Sequence, residues 1–272
     1  MKKFAKIFLV ILLLIVLLVT LTACGDDEEN TNSTSTTNST NNTTMEEDTM
    51  TDAQKFTSEL ANLSAEEVNA NAEAQMAEPA EGDTIAIFHI EGYGDITVKF
   101  FEEVAPKACE NFITHAEEGY YNGLTFHRVI EEFMIQGGDP LGNGTGGESI
   151  WGEDFGEELS PTVLPYKGAL CMASRGTGTS SIGSQFFIVQ ANYNEEMTQY
   201  LSYYGYSNLL DSYETYSGDL FDLALSYQYT TFGQVIDGFD VLDSIAAVET
   251  DSNDKPLQDV VISSIEITTY SK

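Results

Sequence analysis

The sequence predicts a mainly β domain, a closed antiparallel barrel that takes up the C-terminal two thirds of the chain. Three observations point to it. Short runs with strand-like alternation recur from Thr84 to Thr268, while helical periodicity is confined to a few stretches. No regular alternation of strand and helix is present, which argues against a parallel α/β sheet and against a two-lobed solute-binding protein. The segment 83–272, about 190 residues, is long enough to bury one core.

The elements follow in order. Thr84–Ile90 and Ile96–Phe100 alternate apolar and polar residues and flank the turn Gly92-Tyr93-Gly94-Asp95, so they predict a hairpin. Pro106–Ile113 opens a helix, with proline early, where a missing N–H costs nothing. Short strands are expected at Thr125–Ile130, Met134–Gln136, Ala169–Ala173, Gln185–Gln190, Thr231–Val235 and Val260–Thr268, and a second helix at Val241–Ala247. Ahead of the domain, 25–52 is Asn, Ser, Thr and acid with almost nothing apolar, the composition of a disordered tether. Residues 53–78 have helix propensity but only a thin apolar stripe (Phe56, Leu60, Leu63, Val68), which predicts a marginal helix or a stiffened part of the stalk, closed by Pro79 and Gly82. The expected organisation is 1–23, 24–82 and 83–272, with an insertion at about 193–228.

The N-terminus reads as an export signal. Lys2, Lys3 and Lys6 precede an apolar run from Ile7 to Val19, and Leu21-Thr22-Ala23-Cys24 follows. That ending resembles the lipobox of bacterial lipoproteins, which implies cleavage before Cys24, diacylation of its thiol and anchoring on the extracytoplasmic face of the cell membrane. A permanent transmembrane anchor is the alternative, and the run is somewhat short for one. With 11 Lys+Arg against 44 Asp+Glu, the formal charge is −33, and loss of the three signal lysines takes it to −36. So acidic a chain is not a nucleic-acid binder, because phosphate binding needs a basic surface. The acid excess suits solubility outside the cell. Cys109 and Cys171 stand among apolar neighbours and read as two free buried thiols, although an extracellular location would permit a disulfide. His89, His115 and His127 are too scattered to form a ligand set, so no metal and no cofactor is expected.

The most informative stretch is Phe126-His127-Arg128-Val129-Ile130-Glu131-Glu132-Phe133-Met134-Ile135-Gln136-Gly137-Gly138-Asp139. Strand alternation puts Arg128 and Ile130 on one face, and the glycine pair ends the run. An arginine among Phe, Met and Gln is costly unless something needs it. This stretch is similar, nearly residue for residue, to the signature of the cyclophilins, the peptidyl-prolyl cis-trans isomerases. Further blocks match in the same order: Ala105–Phe112, Gly142–Ile150, Met172-Ala173-Ser174, Gly183–Ile188 and Phe232–Val235. The resemblance spans roughly Asp83 to Tyr270 and implies an eight-stranded antiparallel barrel capped by two helices, proline-containing polypeptides as clients and a monomeric protein.

It also implies a site. Rotation about a peptide bond faces a barrier of about 18–20 kcal/mol set by amide resonance, and X–Pro bonds exchange in tens to hundreds of seconds. Twisting makes the prolyl nitrogen pyramidal and more basic, so a fixed cationic donor stabilises the transition state more than the planar ground state. Arg128 matches the family's arginine, and a guanidinium suits the task because it stays charged and offers a rigid fork of donors. Phe133, Met134 and Phe187 match the pocket for the proline ring. Gln136 matches the side chain that holds the substrate backbone and is expected to orient the arginine. Gln185 matches a site-lining position, and Ser174 stands where the family usually has Asn. His127 is expected to be structural and hydrogen-bonded, since the reaction needs no side-chain proton transfer. Taken alone, Arg128 would read as a strand-end salt bridge and the aromatics as core.

The chain departs from the family between Gln190 and Phe232, which is longer than usual and rich in tyrosine. Counting back from Phe232 without gaps places Leu225 at the family's Leu, Ala224 at its Trp and Tyr229 at its His. Tyr229 keeps a hydroxyl donor. The insert reads either as a small helical lobe packed on the barrel or as a partner surface. Arg175 stands at a position usually small in the family, at the rim of the neighbouring pocket. The leading expectation is a membrane-tethered isomerase that speeds folding of exported proteins. The alternative is a proline-segment binding module or holdase with little turnover.

Overall fold

The computed structural model describes residues 50–174 and 181–272; Cys24 and Arg175 lie outside these. Eight antiparallel strands form one sheet. They are β1 (Thr84–Ile90), β2 (Gly94–Phe100), β3 (Arg128–Ile130), β4 (Met134–Gly137), β5 (Ala169–Ser174), β6 (Ile182–Val189), β7 (Thr231–Asp237) and β8 (Ile262–Thr269), in the order β3-β4-β6-β5-β7-β2-β1-β8. The predicted hairpin is β1–β2, with Ile90 opposite Gly94.

Closure is weaker than expected. The edge strands β3 and β8 share no ladder, and the sheet is a half-barrel whose edges meet ahead of β3, at the isolated bridge between Thr125 and Val261 and the hydrogen bonds of Gly123 and Leu124 with Ile262. The strand expected over Thr125–Ile130 is therefore reduced to its last three residues. The physical reason is a competing partner: the Val129 N–H donates to the Asp254 carbonyl at 2.8 Å, so a loop rather than β8 covers this edge.

Inside the curved sheet lies the main core, built around Phe88, Phe112, Phe126, Phe186 and Phe232. Two helices close its ends. The first, Pro106–Glu117, carries Phe112 into an edge-on contact with Phe186 (5.3 Å between centroids). Its cap, Ala105, has no side-chain acceptor, and the Glu158 carboxylate takes the Lys107 and Ala108 N–H groups instead, at 3.1 and 2.9 Å. The second, Phe239–Ala246, buries Val241, Leu242 and Ile245 in the same core. Cys109 and Cys171 are free and buried, and burial pushes each thiol up to about 12.

The N-terminal part is more ordered than a stalk. The expectation for residues 53–78 is a marginal helix or a stiffened part of the stalk. Instead Asp52–Asn62 and Ala65–Met76, here α1 and α2, are two helices, each opened by a capping box, from Thr51 with Gln54 and from Ser64 with Glu67. Three residues of the thin stripe are buried: Phe56, Leu60 and Val68, with Ala72, join Leu201, Leu209, Tyr213, Leu220 and Ala224 in a second core, and Leu63 packs against it partly buried. The tyrosine-rich insertion supplies the other half of that core as a helical lobe, through Glu195–Tyr203, Leu210–Tyr216 and a π-helical turn, Leu220–Ser226. The helices over 52–76, ahead of Asp83, thus pack as part of the folded unit.

Gln75 fastens α2 to the sheet. Its amide accepts from the Leu164 N–H (2.9 Å) and donates to the Leu164 carbonyl (2.8 Å) and to Gln234 of β7 (3.0 Å). The buried Lys99 side chain donates to the Ala77 and Ala74 carbonyls at the C-terminal end of α2, at 2.7 and 3.3 Å.

Candidate active site

Strand alternation sorts the side chains of β3, β4 and β6 onto two faces. Val129, Ile135, Phe186 and Ile188 point into the main core. Their neighbours Ile130, Met134, Phe187 and Val189 form a separate apolar cluster on the outer face, with Ala169, Cys171, Leu223, Phe133 and Tyr229. The pairings align this face: Arg128 stands opposite Gln136, Gln136 opposite Phe187, and Phe187 opposite Cys171. Arg128, Gln136 and Phe187 therefore lie side by side across three strands, at the edge of an apolar surface.

Arg128 is half-buried. Among the described residues no hydrogen bond or ion pair engages its guanidinium, so its donors are unspent. Its charge still acts locally: burial is the main cause that pushes the Tyr229 phenol up, while Arg128 opposes that shift. Tyr229 lies edge-on to Phe187, with ring centroids 5.1 Å apart.

Among the described residues Gln136 is hydrogen-bonded to Gln185 and not to Arg128. Its amide donates to Gln185 Oε1 at 2.9 Å, and Gln185 Nε2 donates to the Gly146 carbonyl at 2.7 Å. The two glutamines form a relay that ties β4 and β6 to the glycine-rich loop. The relay borders a cavity of about 270 Å³ lined by Gln136, Gln185, Ser174, Ser181, Ala173, Gly183 and loop glycines 144, 146 and 147. Asp139 shapes that loop. Burial pushes its carboxyl up, but N–H groups of Leu141, Asn143, Gly144 and Gly146 outweigh this and hold it below the ordinary carboxylate range. Gly138, at φ 82°, is required here, since a Cβ would come within 2.5 Å of the Ser184 carbonyl.

The structure brings together Arg128, Phe133, Met134, Gln136, Ser174, Gln185, Phe187 and Tyr229. Leu225 stands apart. It packs on the second core, and Leu223 takes the place beside Phe187 and Met134. An ungapped count assumes that successive side chains keep their faces. The π-helical turn, whose Tyr227 N–H reaches the Asp222 carbonyl five residues back at 2.8 Å, breaks that assumption. His127 also departs from expectation: it is buried, and neither ring nitrogen meets a hydrogen-bond partner among the described residues. Burial lowers its pKa and keeps the ring neutral. Cys171 and Val189 were not foreseen in this face. Alternation from Phe187 would have found Val189; nothing in the sequence marks Cys171.

Residues 85–267 match the family model for "Cyclophilin type peptidyl-prolyl cis-trans isomerase/CLD". The chain belongs to the cyclophilins. A Staphylococcus saprophyticus protein whose name assigns it peptidyl-prolyl cis-trans isomerase activity is 46% identical over 195 residues, covering 71% of this chain and 96% of that protein. A Staphylococcus aureus protein of the same name is 45% identical over 192 residues, or 70% and 94%. The crystal structure of a Cryptosporidium parvum cyclophilin type isomerase superposes with a TM-score of 0.55 at 33% identity, covering 70% of this chain and 99% of that one. A second structure of that isomerase, in the presence of the dipeptide Ala-Pro, gives 0.54 at 33% identity, over 69% and 99%. This cyclophilin is therefore a peptidyl-prolyl cis-trans isomerase, with α1, α2 and the helical lobe built around the family's sheet.

Proposed function

We propose that the enzyme speeds X–Pro isomerisation in exported polypeptides, with Arg128 stabilising the twisted amide. One observation carries this reading: a half-buried guanidinium, its donors unspent among the described residues, stands across Gln136 from Phe187 at the edge of the apolar surface of Phe133, Met134, Phe187, Leu223 and Tyr229. The proline ring sits on that surface, and desolvation by it strengthens each donor. As the amide twists, the prolyl nitrogen gains basicity and accepts from Arg128. The reaction forms no covalent bond and moves no proton to a side chain, which suits a neutral His127 and thiols held at about 12. Gln136 and Gln185 present amides to the client backbone next to the proline. The Ala-Pro dipeptide named with the Cryptosporidium parvum structure supports a prolyl ligand of this kind.

The setting is proposed from the N-terminus. Cys24, diacylated after cleavage of 1–23, anchors the protein outside the cytoplasmic membrane, and the polar tether gives it reach. The test of the chemistry is exchange NMR on an Ala-Pro peptide with Arg128→Ala alongside the parent. Loss of exchange catalysis in a folded variant supports the reading; undiminished catalysis overturns it. The setting is tested by radiolabelled palmitate incorporation, which Cys24→Ala should abolish.

The exposed tyrosines of the lobe, Tyr203 at 82% and Tyr204 at 51% exposure, favour a second reading in which the protein mainly holds proline-containing segments. Peptide binding with negligible exchange catalysis in the parent protein would select it.

A further inference from the structure

The family match starts at Ile85, yet α1, ahead of it, is built into the back of the pocket wall. The π-helical turn Leu220–Ser226 has two working faces. Leu223 joins Met134, Cys171 and Phe187 in the outer-face cluster. Leu220 and Ala224, on either side of it in sequence, join Phe56 and Leu60 of α1. One short turn therefore has the pocket on one side and α1 on the other, and its position depends on both.

Two polar ties act on the same region. Gln228 adopts a φ of 58°, a left-handed conformation that a residue with a side chain holds only under restraint. Its Nε2 donates to the Ala53 carbonyl of α1 at 3.3 Å. The next residue is Tyr229, which lies edge-on to Phe187. At the other end of α1, Asn208 Nδ2 donates to the Leu60 and Leu63 carbonyls, both at 2.9 Å, and so joins the helix end to the lobe.

We propose that α1 is a positioning element of the active site: its docking through Phe56 and Leu60, and its tie to Gln228, fix Leu223 and Tyr229 over Phe187 and so set the affinity for the prolyl residue. An isolated helix of 11 residues is marginal in water, so α1 holds its form through this contact. Release of α1 would expose Leu220 and Ala224, free the Gln228 backbone and let the pocket wall relax. The arginine on β3 would be untouched. The effect therefore falls on substrate binding rather than on the chemical step. This inference rests on the proposed proline pocket, and the experiment is chosen to separate the two.

The test uses the full-length chain in detergent, an Ala-Pro peptide and exchange NMR to obtain KM and kcat. Leu60→Ala should raise KM about five- to tenfold with kcat changed less than about twofold, and Leu60→Met should restore it. Amide exchange should accelerate in α1 and stay unchanged in β6. Gln228→Ala removes one hydrogen bond and should raise KM about two- to threefold; it decides the matter if Leu60→Ala fails to fold. Unchanged KM in the folded variants overturns the inference. Phe187→Ala is the control. If it raises KM while Leu60→Ala and Gln228→Ala do not, only the role of α1 falls. If Phe187→Ala leaves KM unchanged, the pocket reading fails and this inference with it.

Discussion

In β6, Gln185, Phe187 and Val189 face outward while Phe186 and Ile188 face the core. In the lobe, Leu223 faces the pocket while Ala224 and Leu225 turn to the second core. Both regions supply the same surface, but by different physics. A strand fixes its faces through its own dihedrals, so one correctly placed residue places the rest. The π-helical turn has no such fixed period over seven residues, and its faces are set by what packs on each side. The sheet part of the site is thus robust to changes elsewhere, and the lobe part depends on its neighbours.

The largest effect that would break this contrast is on Phe186 and Phe187. Phe186→Ala should cost about 3–5 kcal/mol of stability, because it empties the main core, and denaturant unfolding would measure it. Phe187→Ala, one residue on, should act chiefly on KM. A similar pattern for the two variants would mean that alternation does not separate fold from site here.

Arg128→Ala should lower kcat/KM about 10²–10³-fold, or about 3–4 kcal/mol, with the near-UV spectrum intact. Arg128→Lys should recover only part of this, since an ammonium lacks the fork of donors. Full recovery would remove the reason for an arginine at this position.

The lobe should also carry a pH dependence of its own. Asp219 caps the π-helical turn, its side chain accepting from the Asp222 N–H at 2.9 Å. Burial, with the nearby Asp222 charge, pushes its carboxyl up to about 7. Its folded value lies above its unfolded one, so the folded state holds the proton more tightly. The associated stability is fully present below about pH 4 and is lost as pH rises through about 7. Unfolding should therefore become easier by on the order of a few kcal/mol between pH 5 and 8, as far as this group contributes. Asp219→Asn keeps the cap oxygen, removes the charge and should flatten that slope. A slope unaltered by the substitution would assign it elsewhere.

The smallest effects concern the caps of α1 and α2. Thr51→Ala and Ser64→Ala should each cost about 1 kcal/mol, read as faster amide exchange in the helices and the lobe and not in β6. Equal acceleration in β6 would show that the lobe and the sheet unfold as one unit.

Much of this was legible in the chain. The hairpin, the early-proline helix and the alternation of β4 and β6 follow from local rules, and these place Met134, Gln136, Gln185 and Phe187 on one face. The ordered cyclophilin motifs singled out Arg128. Four things were not legible. Sheet closure depended on whether β8 or the Asp254 carbonyl took the Val129 N–H. The partner of Gln136 depended on where β6 brought Gln185. Leu223 rather than Leu225 faced the pocket because of a backbone state that no side-chain pattern announces. The stripe Phe56, Leu60 and Val68 looked too thin for a stable helix, since its partner lies about 150 residues further along the chain.

The sequence by itself determined the family, most of the strands and the presence of a guanidinium at Arg128. These depend on neighbours in sequence, on alternation and on residue type. Only the tertiary structure decided which lobe side chain meets Phe187, what Gln136 binds and that α1 belongs to the folded unit. Each of those is a choice among partners distant in the chain, and packing makes it.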